Sequence, residues 1–215
     1  MKMYDSAIFD LDGTILDTLD DLKDSVNFAL CENNLPARSR EEVRRFVGNG
    51  IRLLIERAVP QSTPVDVVDK CFDAFKKHYK DNSANSTKPY AHITDVLCKL
   101  KAEGIALAVV SNKADFAVQT LVEEYFPGIF HFAVGEREGI KRKPCADSVF
   151  AAMEALGSKN AIYVGDSEVD VETAVNSGLD CLAVTWGFRG ENVLRELNPK
   201  YIVNEPEEII DIILK

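Results

Sequence analysis

Ser6-Ala7-Ile8-Phe9-Asp10-Leu11-Asp12-Gly13-Thr14 is the stretch on which the reading of this chain turns. Its first four residues read as a short buried strand, and two carboxylates follow at the C-terminal end. In a protein that alternates strands with helices, that end opens into the ligand crevice. Two acids two residues apart, followed by a glycine that lets the chain turn sharply, have a chemistry that one acid lacks. One can act as nucleophile while the other gives or takes a proton, with a divalent cation screening their repulsion. A strand running into an ordinary Asp-Gly turn is the plainer explanation, so the remainder of the chain must decide.

Composition narrows the classes. The 215 residues suffice for one domain, or for one core with a modest insertion, and 46% hydrophobic with 28% charged residues is usual for a soluble globular protein. A net charge of -10 argues against nucleic acid as the main partner, and an anionic substrate would need a local cation. No window approaches the ~18 apolar residues of a membrane span. The opening MKMYDS lacks the apolar segment of a signal peptide, which predicts a cytoplasmic protein. No feature calls for an obligatory protein partner. The five cysteines are scattered without a C-x-x-C pair and the three histidines are isolated. Reduced, mostly buried thiols are therefore expected, and neither a disulfide framework nor a zinc site.

Further apolar runs at 105–110, 132–134, 161–164, 182–184 and 201–203 alternate with helix-period patterns. Those patterns are Ile93, Val96, Leu97, Leu100; Phe116, Thr120, Leu121; Val149, Phe150, Met153, Leu156; and Val169, Ala174, Val175. Strands buried on both faces and separated by helices predict an α/β fold with a doubly wound parallel sheet. Residues 16–87 break the alternation with three amphipathic stretches, starting at Leu19, Val43 and Val65, punctuated by Pro36, Pro60 and Pro64. A block of that size is too long for a crossover. The chain is thus divided into a core of residues 1–15 and 88–215 and an inserted α-helical cap of residues 16–87, placed to act as a lid.

Three more motifs fall just after strands. Val110-Ser111-Asn112-Lys113 puts a hydroxyl and an amide at a strand end, where a helix N-cap is an equally good explanation. Lys141-Arg142-Lys143-Pro144 is a basic run in an acidic chain; Lys141 and Arg142 read as solvated, whereas Lys143 gains weight from its Pro and from Asp147, expected to cap the next helix. Gly165-Asp166-Ser167-Glu168-Val169-Asp170 places two more acids beyond a strand; a capping turn explains Asp166 but leaves Asp170, one turn later on the same face, unexplained. Together these put four carboxylates, one Lys and one hydroxyl into one crevice. Hard oxygen ligands without His or thiolate point to Mg²⁺. A cation, a Lys and backbone amides around a reactive acid suit phosphoryl transfer through a covalent aspartyl-phosphate.

These four motifs occur in the order found in the haloacid dehalogenase-like phosphohydrolases, which the chain resembles over essentially its whole length. The insertion after the first motif looks like the cap of that superfamily's first subclass. The resemblance implies that Asp10 is the nucleophile and Asp12 the general acid/base. It implies that Ser111 and Asn112 hold the phosphoryl group while Lys143 neutralises it and steadies Asp10. It further implies Mg²⁺ bound by Asp10, the main-chain carbonyl of Asp12, and Asp166, with Asp170 supporting. The chain departs from the usual pattern at Lys143-Pro144-Cys145-Ala146-Asp147, which lacks a second Pro, and at Asp17-Thr18 in place of Asp-Ser. Cys145, two residues from Lys143, is either a modifiable thiol or a space-filler.

Within the superfamily, Phe46-Val47-Gly48-Asn49-Gly50-Ile51-Arg52-Leu53-Leu54 resembles phosphoglycolate phosphatases. Gly48, Asn49 and Gly50 would form a loop that approaches the substrate, and Arg52 would meet a carboxylate; a Gly-broken helix end accounts for the same residues. The expected activity is Mg²⁺-dependent hydrolysis of a small phosphorylated metabolite, phosphoglycolate first. The alternatives are a β-phosphoglucomutase-type phosphomutase, and a pyrophosphatase or nucleotidase of the same superfamily. A signalling receiver shares the chemistry, but its phospho-acceptor follows the third strand, not the first.

Overall fold

Strands and helices alternate through most of the chain: β1 (Ser6–Phe9), β2 (Leu16–Asp17), α1 (Leu19–Glu32), α2 (Arg40–Phe46), α3 (Gly50–Ala58), α4 (Val65–Asn82), β3 (Lys88–Pro89), α5 (Ile93–Ala102), β4 (Ala106–Ala114), α6 (Asp115–Tyr125), β5 (Phe132–Glu136), α7 (Asp147–Leu156), β6 (Ala161–Gly165), α8 (Glu168–Ser177), β7 (Asp180–Val184), α9 (Glu191–Glu196), β8 (Tyr201–Val203) and α10 (Glu208–Ile213). The structure is a computed structural model that describes residues 3–215. It divides into two compact units, Met1–Leu16 with Pro89–Lys215, and Asp17–Lys88. The two chain crossings are β2 and β3, which pair with each other.

The first unit is built on a six-stranded sheet in the order β5-β4-β1-β6-β7-β8, with every pairing parallel, as the alternating pattern requires. β1 and β6 are buried at every residue, which is why they read as unbroken apolar runs. Ile8, Ala108, Val110 and Tyr163 share one face of the sheet and pack on Val149 and Ala152 of α7 and Val171 and Ala174 of α8. The chain builds outward from β1 through β4 to β5, then returns to lay β6 on the other side of β1. At this reversal the connections leave β1 and β6 in opposite directions, and a crevice opens beyond the carboxyl ends of the strands. Phe9 pairs with both Val109 and Val164, so the residues that follow them share one level.

The second unit is helical. Its buried residues include Leu22, Val26 and Leu30 of α1 and Val68, Cys71, Phe75 and Tyr79 of α4. The expected second amphipathic stretch is two helices, because Gly48 (φ 120°) and Gly50 (φ 82°) put left-handed backbone between them. Asp21 is 2% exposed, and its oxygens accept from the Ser86 N–H (2.9 and 3.0 Å), the Thr87 N–H (2.8 Å) and the Thr87 hydroxyl (2.7 Å). One carboxylate thus ties the end of this unit to its first helix.

Other expectations need correction. Cys31, Cys98 and Cys145 are exposed, so only Cys71 and Cys181 fit the picture of buried thiols. Phe116, Phe150 and Val175, counted in helical apolar patterns, are also exposed, on the outward sides of their helices. Among the described residues no helix is long and apolar enough to cross a membrane. Removing the Asp21 carboxylate takes away the acceptor of the Ser86 N–H and of the buried Thr87 N–H, so Asp21→Ala is expected to cost about 2–4 kcal/mol. Urea unfolding followed by circular dichroism measures this, with Asp21→Asn losing less.

Candidate active site

Asp10 is the first residue beyond β1, and its N–H donates to the Val164 carbonyl of β6 at 2.9 Å. The backbone therefore holds it at the seam where the sheet reverses. Its side chain is 11% exposed. Lys143 Nζ lies 2.8 Å from Asp10 Oδ1 as an ion pair, although among the described residues no aligned hydrogen bond reaches that oxygen. Burial pushes the Asp10 carboxyl up to about 7; Lys143 opposes the rise, while the charges of Asp170 and Asp12 add to it.

Gly13 has φ 86°, and a Cβ there would sit 2.5 Å from Asp166 Oδ2. Both the turn and the close approach require glycine. The Thr14 hydroxyl donates to Asp166 Oδ1 (3.2 Å) and the Phe188 N–H to Oδ2 (2.6 Å). Asp166 is thereby fixed by the loops after β1 and β7 while itself following β6. Burial, with the charges of Asp170 and Asp10, holds its carboxyl well above the usual range.

Asp170 is engaged at both oxygens. Oδ2 accepts from the N–H groups of Asp166 (3.2 Å) and Ser167 (3.1 Å) and from the Ser167 hydroxyl (2.6 Å). Ser167 is the N-cap of α8 and Asp170 completes its capping box, so a capping role explains Asp170 and not, as expected, Asp166. Oδ1 accepts from Lys143 Nζ at 2.8 Å and from the Tyr163 hydroxyl at 3.3 Å. Burial disfavours the Lys143 ammonium, but the charges of Asp10 and Asp170 outweigh it and hold its pKa well above the ordinary value. Tyr163 Oη accepts from Lys143 Nζ at 3.0 Å. In sequence Tyr163 is simply one more buried strand residue, and no local signal marks it as a neighbour of Lys143.

β4 does not end at Val110 but runs on to Ala114, with an irregular register between those residues. Ser111 and Asn112 thus lie within the strand, and the N-cap of α6 is Ala114; neither residue caps a helix. Asn112 Nδ2 donates to the Lys143 carbonyl at 3.0 Å, tying β4 to the loop that carries the lysine. Ser111 Oγ accepts from the Lys113 N–H at 3.2 Å, which keeps the hydroxyl proton for another acceptor. Lys113, not singled out from the sequence, places Nζ 2.8 Å from Asp12 Oδ1, with side-chain exposures of 3% and 14%. Asp147, expected as a cap, is instead the first residue of α7, whose N-cap is Ala146.

Asp10, Asp166 and Asp170 each offer an oxygen within 4.8 Å of the others, and all three are buried. Oxygen donors in this number suit a hard divalent cation. The Asp10 oxygen without an aligned donor fits one as well. The Asp12 carboxylate is not in this cluster; it faces Lys113.

The remaining sequence candidates belong to the helical unit. Gly48 and Asn49 form the turn between α2 and α3, Asn49 being the N-cap of α3 and Gly50 its first residue. Arg52 is 38% exposed and donates to Glu56 at 2.7 Å while also pairing with Asp69 of α4. Lys141 and Arg142 are exposed, as expected, and Arg142 is 3.8 Å from Glu136.

Residues 7–184 match the haloacid dehalogenase-like hydrolase family. A phosphoglycolate phosphatase from Mesorhizobium japonicum is 34% identical over 205 residues, covering 92% of this chain and 89% of that one. A crystal structure from Lactobacillus delbrueckii subsp. bulgaricus superposes with a TM-score of 0.94 at 36% identity, covering 100% of this chain and 99% of the other. A predicted phosphoglycolate phosphatase from Haemophilus somnus gives 0.92 at 29% identity, covering 99% of both chains. Family match, identity and coverage agree with the four motifs: this chain belongs to the haloacid dehalogenase-like hydrolases.

Proposed function

We propose that this protein is a Mg²⁺-dependent phosphatase that hydrolyses phosphoglycolate, or a similar small phosphomonoester, through an aspartyl-phosphate on Asp10. The observation that carries the reading is the buried Asp10, held 2.8 Å from Lys143 in a cluster with Asp166 and Asp170. The relatives' names supply the substrate. Asp10 attacks phosphorus, the ester bond breaks, and Asp12 delivers a proton to the departing oxygen. Asp12 then takes a proton from water, whose oxygen attacks the same phosphorus and releases Asp10 and inorganic phosphate. Ser111 and Asn112 orient the phosphoryl oxygens. Lys143 neutralises them and holds Asp10 in place.

Mg²⁺ would be held by Asp10, the Asp12 carbonyl and Asp166, and supplies charge neutralisation at the phosphoryl oxygens. Asp170 supports from behind, since its oxygens are occupied by Lys143, Tyr163 and the start of α8. In the helical unit the Gly48-Asn49-Gly50 turn is the candidate substrate loop. Arg52, tied to two acids of its own unit, is a weaker candidate for the substrate carboxylate than the sequence implied. Five free cysteines suit a reducing, cytoplasmic setting.

Asp10→Asn is expected to reduce phosphate release at least about a thousandfold with the far-ultraviolet circular dichroism spectrum unchanged. A rate near wild type would remove Asp10 from the mechanism. With the Asp10 carboxyl at about 7 in the cation-free protein, Mg²⁺ must displace a proton at pH 6 that is already gone at pH 8. Calorimetric titration should therefore show binding at least about tenfold tighter at pH 8, with proton release at pH 6, since the raised Asp166 carboxyl adds to the effect of Asp10. Hydrolysis of a panel of phosphomonoesters and pyrophosphate with Mg²⁺ tests the substrate. Phosphoglycolate is expected to lead, and conversion of a hexose 1-phosphate to its 6-phosphate without phosphate release would establish the mutase instead.

A further inference from the structure

We infer that Lys113 binds the anionic group of the substrate's leaving portion, and so selects phosphoesters with a carboxylate one carbon from the ester oxygen. The inference rests on the proposed phosphatase reading and adds to it a residue that chooses the substrate.

The site already holds four carboxylates in a chain of net charge -10, so a second negative group on the substrate needs its own cation. Lys143 is bound by Asp10 and Asp170, each at 2.8 Å. Arg189 donates from two nitrogens to Glu168 (2.7 and 3.1 Å). Arg52 pairs with Glu56 and Asp69. Lys113 differs in its partner: Nζ meets Asp12, the residue that must give its proton to the leaving oxygen.

Geometry places it where such a group arrives. A proton donor sits ~2.6–3.2 Å from the atom it protonates. Nζ is 2.8 Å from Asp12 Oδ1, so it is within one further contact of the leaving oxygen. A carboxylate one methylene away from that oxygen reaches the remaining gap through two bonds of ~1.5 Å. An ammonium has three donors, so Lys113 Nζ can donate to Asp12 and to the substrate carboxylate together. The side chain is also placed rigidly. It leaves the irregular end of β4, and a Cβ on Gly135 of β5 would meet the Lys113 carbonyl at 2.5 Å, so the two strands press together there.

Lys113→Met removes the charge and keeps the length. The measurement is kcat/KM for 2-phosphoglycolate and for ethyl phosphate, which has the same phosphoryl group and no carboxylate, on the full chain with Mg²⁺. The expected result is a fall of at least about thirtyfold in the ratio of the two values, mainly through KM for phosphoglycolate. Lys113→Arg, which keeps the charge, should retain a clear preference for phosphoglycolate. If the Met variant does not fold, Lys113→Gln is read in the same way. An equal loss on both esters overturns the inference, because Lys113 then serves only to hold Asp12. A wild-type enzyme that hydrolyses both esters without preference overturns the substrate reading itself, a failure separate from that of Lys113.

Discussion

One buried ammonium organises this molecule. Lys143 Nζ lies 2.8 Å from both Asp10 and Asp170, and all three side chains are almost completely withdrawn from water. Two carboxylates this close repel each other, and either one alone with the lysine would leave no charge for the second. The lysine therefore makes possible a carboxylate cluster that the apolar sheet around it would otherwise reject. Its neighbours are fastened in turn. Asp170 anchors α8, Asn112 grips the Lys143 carbonyl, and Tyr163 supplies a hydroxyl from within β6.

The fold delivers these groups by topology more than by local sequence. Asp10, Ser111 and Asp166 come from or follow three adjacent strands, β1, β4 and β6, at the level where the winding of the sheet reverses. The spaces between them are set by missing side chains. A Cβ on Gly165 would sit 2.3 Å from the Asp170 side chain, and one on Gly187 would sit 2.3 Å from the Asp166 Cβ. The cluster is thus as much a product of the glycines around it as of its acids.

What the chain disclosed as text follows from these causes. Continuous apolar runs identified β1 and β6 because parallel strands buried on both faces leave no polar alternation, and the acids after them stood out by contrast. The end of β4 was hidden. Ser111, Asn112 and Lys113 are polar, so the apolar run stops at Val110, although backbone pairing carries the strand to Ala114. Lys113 and Tyr163 were missed because their partners lie 101 and 20 residues away in sequence, at Asp12 and Lys143. Gly48 and Gly50 were read as a flexible loop or a helix end; the structure makes them the break that divides one expected helix into two.

The Asp21 carboxylate gives the helical insertion a property of its own. By gripping the backbone at Ser86 and Thr87, it draws the last residues of the insertion onto its first helix. The β2–β3 pair, whose second strand starts at the next residue, Lys88, brings the two crossing strands side by side. An insertion whose ends are fastened together asks of its host only a narrow gap in one loop, and it carries its own closure with it. The sheet and the acids on it can then stay constant while that gap accepts insertions of other sizes and surfaces. In such an architecture the length and surface of the insertion can change without a change in the strands that carry the acids.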